Sequence, residues 1–137
     1  MTQWAQSLIR ISRFEVEGLQ KRLAEVAARR ASAEMRLACL DAEREVETER
    51  ARSDGEAALL LNAFLDGWTV RRAAAEHALG EVTAEEQGAR DALTSAFEEL
   101  KKFEHVSELT RLAELAERAK RETAAFDEIA LRRRAAG

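Results

Sequence analysis

Residues 56–72 read EAALLLNAFLDGWTVRR and begin a stretch that continues to Arg134 without a proline. Only three glycines interrupt it, at positions 67, 80 and 88. Nothing there forces a helix to end, because proline is the strongest helix breaker. One helix through these residues would be roughly 120 Å long, at ~1.5 Å per residue. Such a helix cannot bury its own apolar face, so the sequence predicts a partner helix.

Composition favours paired helices over an ordinary globule. The chain has 137 residues, with no proline or tyrosine and 35% charged residues, a bias typical of coiled coils and long helices. The net charge of −4 comes from finely mixed signs. No basic stripe of the kind that binds nucleic acid is visible, so we expect no nucleic-acid partner.

The first half supplies the predicted partner helix, because its apolar positions alternate between spacings of three and four. An average spacing of 3.5 keeps one seam facing a second helix. Two positions of the stripe are polar. The stripe consists of Ile9, Ser12, Val16, Leu19, Leu23, Val26, Arg30, Ala33, Leu37 and Leu40.

Ser53-Asp54-Gly55 is the favoured break between the two helices. Glycine permits a positive φ, and Ser or Asp can cap the helix that follows. Asp66-Gly67 is the rival turn and would give helices of similar length. The favoured break predicts an all-α fold, an antiparallel two-helix coiled-coil hairpin in one domain spanning residues 1–137. Helix 1 covers about 5–52, the turn about 53–55, and the longer helix 2 about 56–134.

The apolar stripe of helix 2 changes character towards the C-terminus. Spacings of three succeed one another between Phe103 and Leu112, which locally overwinds or loosens a coiled coil. From Ala113 onward the stripe consists mainly of alanine and threonine. Small residues bury little area, so we expect a weak packing layer there.

No catalytic, cofactor or metal site is predicted. His77 and His105 have no second His or Cys at metal-ligand spacing, and no glycine-rich phosphate loop is present. Cys39 lies among apolar residues and reads as a structural thiol in a reducing compartment. A two-helix hairpin offers no pocket to exclude water, so we do not expect an enzyme.

The run Ala57–Trp68 carries more apolar surface than one seam can cover. It can fold against the end of helix 1, or dock another protein, since Trp and Phe concentrate binding energy. A membrane-surface helix is a further alternative, weakened by the absence of adjoining lysines. The run is too short to span a bilayer, and the N-terminus lacks the apolar core of a signal peptide. We therefore expect a cytoplasmic chain without direct membrane insertion.

The chain resembles the FliJ family of flagellar type III export proteins over roughly residues 8–134, most specifically in its second half. The family pattern joins an aromatic-rich segment, a long helix and a closing acidic-apolar motif. The branch found in alphaproteobacteria is similar at residues 89–104. The matching residues are Leu61, Phe64, Leu65 and Trp68, then Leu100, Phe103 and Val106, then Phe126, Asp127, Glu128, Ile129, Ala130 and Arg132.

The resemblance implies a non-enzymatic stalk and adaptor for flagellar protein export. Family members are antiparallel coiled coils that insert into the hexameric export ATPase and touch the membrane-embedded export gate and the export chaperones. It implies a cytoplasmic protein peripherally associated with the export apparatus of the inner membrane. A self-associating coiled-coil scaffold without an export role is the alternative.

Two groups of partner-binding residues follow from that role. The turn-proximal patch would dock on the export gate and consists of Leu61, Phe64, Leu65 and Trp68. The ATPase-contacting group would consist of Ile9 with Phe126, Asp127, Glu128, Ile129, Arg132 and Arg133.

Overall fold

Two long helices make up the described part of the protein. The computed structural model describes residues 3–137, which are helical except at Asp54 and Gly137. Helix α1 spans Gln3–Ser53 and helix α2 spans Gly55–Ala136. The two helices pack against each other, and the described residues contain no strand. The predicted all-α hairpin with a longer second helix is confirmed.

The turn between the helices is a single residue, Asp54. Its N–H donates to the carbonyl of Arg50 and its carbonyl accepts from the N–H of Ala58, each at 3.0 Å. Its Oδ1 accepts the N–H of Glu56 at 3.0 Å, which is the hydrogen bond of an N-cap. Asp54 therefore ends α1 and also provides the N-cap of α2.

The turn does not use the conformational freedom of glycine. Among the described residues no glycine has a positive φ, and Gly55 is already helical as the first residue of α2. The carboxylate of Asp54 supplies the cap, so the positive φ that Gly55 permits is not needed. Asp66 and Gly67 lie inside α2, where the chain continues as helix.

The chain forms two compact units, each built from part of both helices. One unit is Glu17–Thr94; the other joins the residues up to Val16 with Ser95–Gly137. In Glu17–Thr94 the buried apolar side chains are Val26, Leu40, Trp68 and Val82. Complete burial of Val26 and Leu40 contributes roughly 1.5–3 kcal/mol each.

Contacts in the Glu17–Thr94 unit show that the helices are antiparallel. The Trp68 side chain reaches the Leu40 carbonyl, whereas Glu86, further along α2, meets Arg30, which lies earlier in α1. Arg30 is one of the two polar positions in the α1 stripe, and its partner across the helix pair is Glu86. Glu86 is only 5% exposed, and its Oε1 lies 3.1 Å from both Arg30 and Arg90. Buried ionic groups of this kind can fix the register of a helix pair.

The other unit has its own buried seam, formed by Ile9, Ser12, Val16, Ala96 and Leu100. Arg13 and Glu104 form an ion pair beside it at 3.6 Å. In α2 the burial ends near Ser107, and every residue from 108 to 137 is exposed. The sequence predicted a weak packing layer from residue 113 onward, but these residues are exposed and form no buried layer.

Candidate functional site

The turn-proximal patch lies largely in the seam. Trp68 is 8% exposed, while Leu61, Phe64 and Leu65 are half-buried. The indole Nε1–H of Trp68 donates to the Leu40 carbonyl at 2.6 Å. The structure thus brings the four residues together along one face of α2, with Trp68 as the buried member.

Two arginines cover the Trp68 ring. The guanidinium carbons of Arg44 and Arg72 lie 5.0 and 5.9 Å from its centroid, within the range of cation–π attraction. Arg72 also donates from Nε to Asp41 Oδ1 at 2.8 Å. This hydrogen bond is the main reason that the pKa of Asp41 is lowered and that of Arg72 raised. Asp41 thereby fixes the position of the Arg72 guanidinium beside the Trp68 ring.

Exposed apolar residues adjoin the turn-proximal patch. Leu59 and Leu60 on α2 and Val46 on α1 are largely exposed. A shallow groove is lined by Val46 and Phe64 together with Cys39, Ala42, Glu43 and Glu47. Sequence reasoning included Leu59 and Leu60 in the apolar run Ala57–Trp68, but it did not single out Val46. The signal was available, because a run of three leucines at 59–61 can direct only one side chain into a seam.

The second group of predicted residues is divided between two places in its unit. Ile9 is buried and lies beside Arg13, Glu104 and Glu108. Phe126 follows Glu108 by 18 positions in α2, which is about 27 Å along a helix. The structure therefore does not bring Ile9 to Phe126.

The C-terminal block, residues 126–133, presents apolar and charged side chains to solvent. Phe126 is 72% exposed and Ile129 48%, and Asp127, Arg132 and Arg133 are exposed as well. Arg132 donates to Glu128 at 2.9 Å. Such an exposed ion pair contributes little to stability. The fold therefore does not depend on the residues of the C-terminal block.

The N-terminal part of α1 carries a second accessible surface. Trp4, Ile11 and Phe14 are each more than three-fifths exposed. A shallow apolar groove beside them is lined by Trp4, Ala5, Leu8, Phe103, Val106 and Thr110. The family resemblance pointed to Ile9 as the contact residue, whereas Ile9 is buried. The accessible apolar side chains in this part of α1 are those of its neighbours Ile11 and Phe14 and of Trp4.

The described residues form no cluster of metal ligands. His77 Nε2 lies 2.9 Å from Glu81 Oε1, and both side chains are mostly exposed. Within residues 3–137, no three His, Cys, Asp or Glu side chains are grouped to hold a metal ion. The arrangement offers surfaces for binding.

Neither helix, over the described residues, has a stretch long and apolar enough to cross a membrane.

Paired helices with accessible apolar surfaces define a coiled-coil interaction protein. The sequence matches the family described as flagellar FliJ protein over residues 5–136, and the chain belongs to that family. It is 47% identical over 137 residues to the flagellar FliJ proteins of two Caulobacter vibrioides strains, NA1000 / CB15N and ATCC 19089 / CIP 103742 / CB 15. Each comparison covers 100% of this chain and 99% of the relative. No solved structure matches the chain significantly.

The predicted family resemblance is confirmed. Family membership implies a role in flagellar protein export and motility.

Proposed function

We propose that this chain is a stalk and adaptor of the flagellar export apparatus. It inserts into the hexameric export ATPase and links that ring to the export gate and the export chaperones, at the cytoplasmic side of the inner membrane. The observation that carries the proposal is the exposure of every residue from 108 to 136 on a continuing helix. Most helical stability in proteins comes from packing against other elements, so a helical segment with no cover of its own suits a partner that packs on it.

The C-terminal block is the proposed ATPase contact. Phe126 and Ile129 are large apolar side chains left in water, and aromatic anchors of this kind dominate binding energy when a pocket receives them. Arg132 and Arg133 complement the negative end of the helix dipole and are available to carboxylates on a ring subunit. The surface around Ile9, chiefly Trp4, Ile11 and Phe14, is the second proposed contact with the ring.

The turn-proximal patch is the proposed export-gate contact. Leu61, Phe64 and Leu65 are half-buried, so each retains surface for a partner. Trp68 is buried and holds this face of α2 against α1. Its proposed role is therefore to support the docking surface, with Leu60 adding accessible area beside it.

Binding to the purified export ATPase tests the first contact. The double substitution Phe126→Ala and Ile129→Ala should weaken binding by at least about tenfold, since truncation of apolar anchors costs more than about 1 kcal/mol each. The matched control is Leu131→Ala, an exposed leucine pointing away from Phe126. Equal binding by wild type and the double variant would contradict the proposed ATPase contact.

Binding to the cytoplasmic part of the export gate tests the second contact. Phe64→Ala should weaken it while the circular dichroism spectrum keeps its helical signal. Leu59→Ala truncates a side chain that is 85% exposed and serves as the control for non-specific apolar binding. Loss of helix in Phe64→Ala would assign the residue to the seam, and the gate contact would then be abandoned.

A further inference from the structure

The shallow groove at Val46 and Phe64 continues towards the turn. A second groove shares Glu47 and Phe64 with it and extends to Asp54. The two therefore form one groove between α1 and α2 in the Glu17–Thr94 unit. Along α1 it runs over positions 39–54, about 22 Å of helix. We call it the acidic groove.

Each helix contributes one wall to the acidic groove. The spacings of the wall residues are four, three and four on α1, and three, one and three on α2, so each set shares one helix face. Val46 is 56% exposed and Leu60 68%, so the apolar floor is open to solvent. The α1 wall consists of Cys39, Glu43, Val46 and Arg50. The α2 wall consists of Ala57, Leu60, Leu61 and Phe64.

The rim of the acidic groove is negatively charged. Its carboxylates are those of Glu43, Glu47, Asp54 and Glu56. Two arginines oppose these four groups: Arg71 lies 3.3 Å from Glu43, and Arg50 lies 3.4 Å from Glu47. Two carboxylates are therefore in excess, and both ion pairs are exposed and weak. A cation on a binding partner would find favourable contacts along this rim.

We infer that the acidic groove binds an amphipathic helix of another protein, with large apolar side chains on one face and lysines or arginines beside them. Helices dock in this way by placing apolar anchors at spacings of three and four into a groove. A helix of about 15 residues matches the length of the acidic groove. The inference rests on the proposed export-gate contact, because Leu61 and Phe64 belong to both. It adds the chemistry of the docking segment and the α1 residue Val46 that receives it.

The charge of the rim disfavours two other occupants. The surface of a bacterial inner membrane is anionic, so the carboxylates would be repelled by its headgroups. A symmetric contact between two copies of the acidic groove would bring the same carboxylates together, which is unfavourable as well.

A designed peptide tests the inference on the full chain. The probe is a fluorescent 15-residue helical peptide with leucines on one face and lysines beside them; in a second version, glutamates replace the lysines. Fluorescence anisotropy should show at least about tenfold tighter binding of the lysine version, and high salt should reduce the difference. Val46→Asn should weaken binding of the lysine version about tenfold. Val70→Asn, at a 70% exposed valine outside the acidic groove, should leave it unchanged.

Charge reversal on the rim separates recognition in the groove from general attraction. Glu43→Lys combined with Glu47→Lys should abolish the preference for the lysine version. The matched control is Glu45→Lys combined with Asp66→Lys. It changes the net charge equally, at exposed positions that face away from the acidic groove. Equal loss of preference in the two double variants would overturn the inference. Circular dichroism verifies that each variant remains helical.

The cytoplasmic part of the export gate distinguishes this inference from the proposed function. The lysine peptide should compete with the gate, and Val46→Asn should weaken gate binding about tenfold. Gate binding that depends on Phe64 but resists the peptide would overturn the inference and leave the gate contact intact. A gate that does not bind at all, with peptide binding still dependent on Val46, would contradict the gate contact but support a cationic helix as the occupant.

Two further measurements check the other occupants. Vesicles containing phosphatidylglycerol should not bind the chain, and sedimentation should show no self-association that depends on Val46. Vesicle binding that Val46→Asn abolishes would overturn the inference in favour of lipid. Self-association that Val46→Asn abolishes would overturn it in favour of a second copy.

Discussion

Trp68 makes three kinds of contact that hold α1 and α2 together. Its ring is buried in the seam, its Nε1–H reaches the Leu40 carbonyl across the helix pair, and Arg44 and Arg72 cover its faces. The side chain thus fixes both the distance and the register between α1 and α2 in the Glu17–Thr94 unit.

Trp68→Phe should lower the free energy of unfolding by about 1–2 kcal/mol, because it removes a buried hydrogen bond and some apolar area. Urea unfolding followed by circular dichroism measures the change. Trp4→Phe is the matched control: Trp4 is 70% exposed, so its substitution should alter stability by less than about 0.5 kcal/mol. Equal effects of the two substitutions would show that Trp68 does not anchor the seam.

Glu85 makes the stability of the helix pair depend on pH. Its Oε1 accepts hydrogen bonds from Arg29 at 2.9 Å and Arg22 at 2.5 Å. The hydrogen bond from Arg29 is the main reason that the pKa of Glu85 is lowered. A carboxyl with a lower pKa in the folded state stabilises the fold above its ordinary pKa of 4.5. That contribution is lost as pH falls through the folded pKa.

The urea midpoint should therefore fall between about pH 5 and pH 3, and Glu85→Gln should make this fall smaller. Glu117→Gln, in the exposed C-terminal part of α2, should retain the wild-type fall. If Glu85→Gln and wild type lose stability to the same extent on acidification, Glu85 does not carry the linkage.

The glycines of α2 are interruptions in a helix that does not require them. Gly67, Gly80 and Gly88 all lie within Gly55–Ala136, none has a positive φ, and a Cβ at each would meet nothing within 4 Å. Glycine in a helix interior is unfavourable relative to alanine because it loses more backbone entropy on folding.

Each of the substitutions Gly67→Ala, Gly80→Ala and Gly88→Ala should raise stability by about 0.5–1 kcal/mol. Thermal unfolding of the single variants and the triple variant measures this gain. Gly67→Pro is the opposite control and should cost about 3 kcal/mol or more. A destabilised alanine variant would contradict the expectation that a Cβ is tolerated at that position.

At the scale of the helices, periodicity predicted what depends on spacing alone. All ten positions of the α1 stripe, including Ser12 and Arg30, are buried or half-buried. Periodicity could not predict that Trp68 binds the Leu40 carbonyl, because every residue carries a backbone acceptor. It also left open whether Leu59 or Leu61 faces the seam, since that depends on the angle at which α2 leaves Asp54.

At the scale of the whole molecule, the proposed ATPase contact at residues 126–133 is separable from the packed seam. Residues 108–137 are exposed throughout, whereas Ile9 and Ser12 are buried. Where α1 stops covering α2 depends on the position of the turn, and two turns were compatible with the sequence. The place where burial ends was therefore less predictable than the seam itself.

Deletion of residues 112–137 should change the free energy of unfolding of the remaining chain by less than about 0.5 kcal/mol while greatly weakening ATPase binding, because it removes Phe126 and Ile129. Urea unfolding and a pull-down measure the two effects. Deletion of residues 1–12 is the contrasting variant and should lower stability, because it removes Ile9 and Ser12 from the core. A large loss of stability in the C-terminal deletion would mean that residues 112–137 contribute to the fold.

The one-residue turn at Asp54 also orders events in time. The Trp68–Leu40 contact spans 28 residues, and the Arg30–Glu86 contact spans 56. The entropic cost of closing a loop rises with the number of residues in it. We therefore expect the helix pair to form first near Asp54 and then to extend away from it. Pulse-labelled hydrogen exchange during refolding should protect amides near Leu40 before those near Val26. The chain emerging from the ribosome can therefore begin to pair as soon as Trp68 is available, with α2 still incomplete.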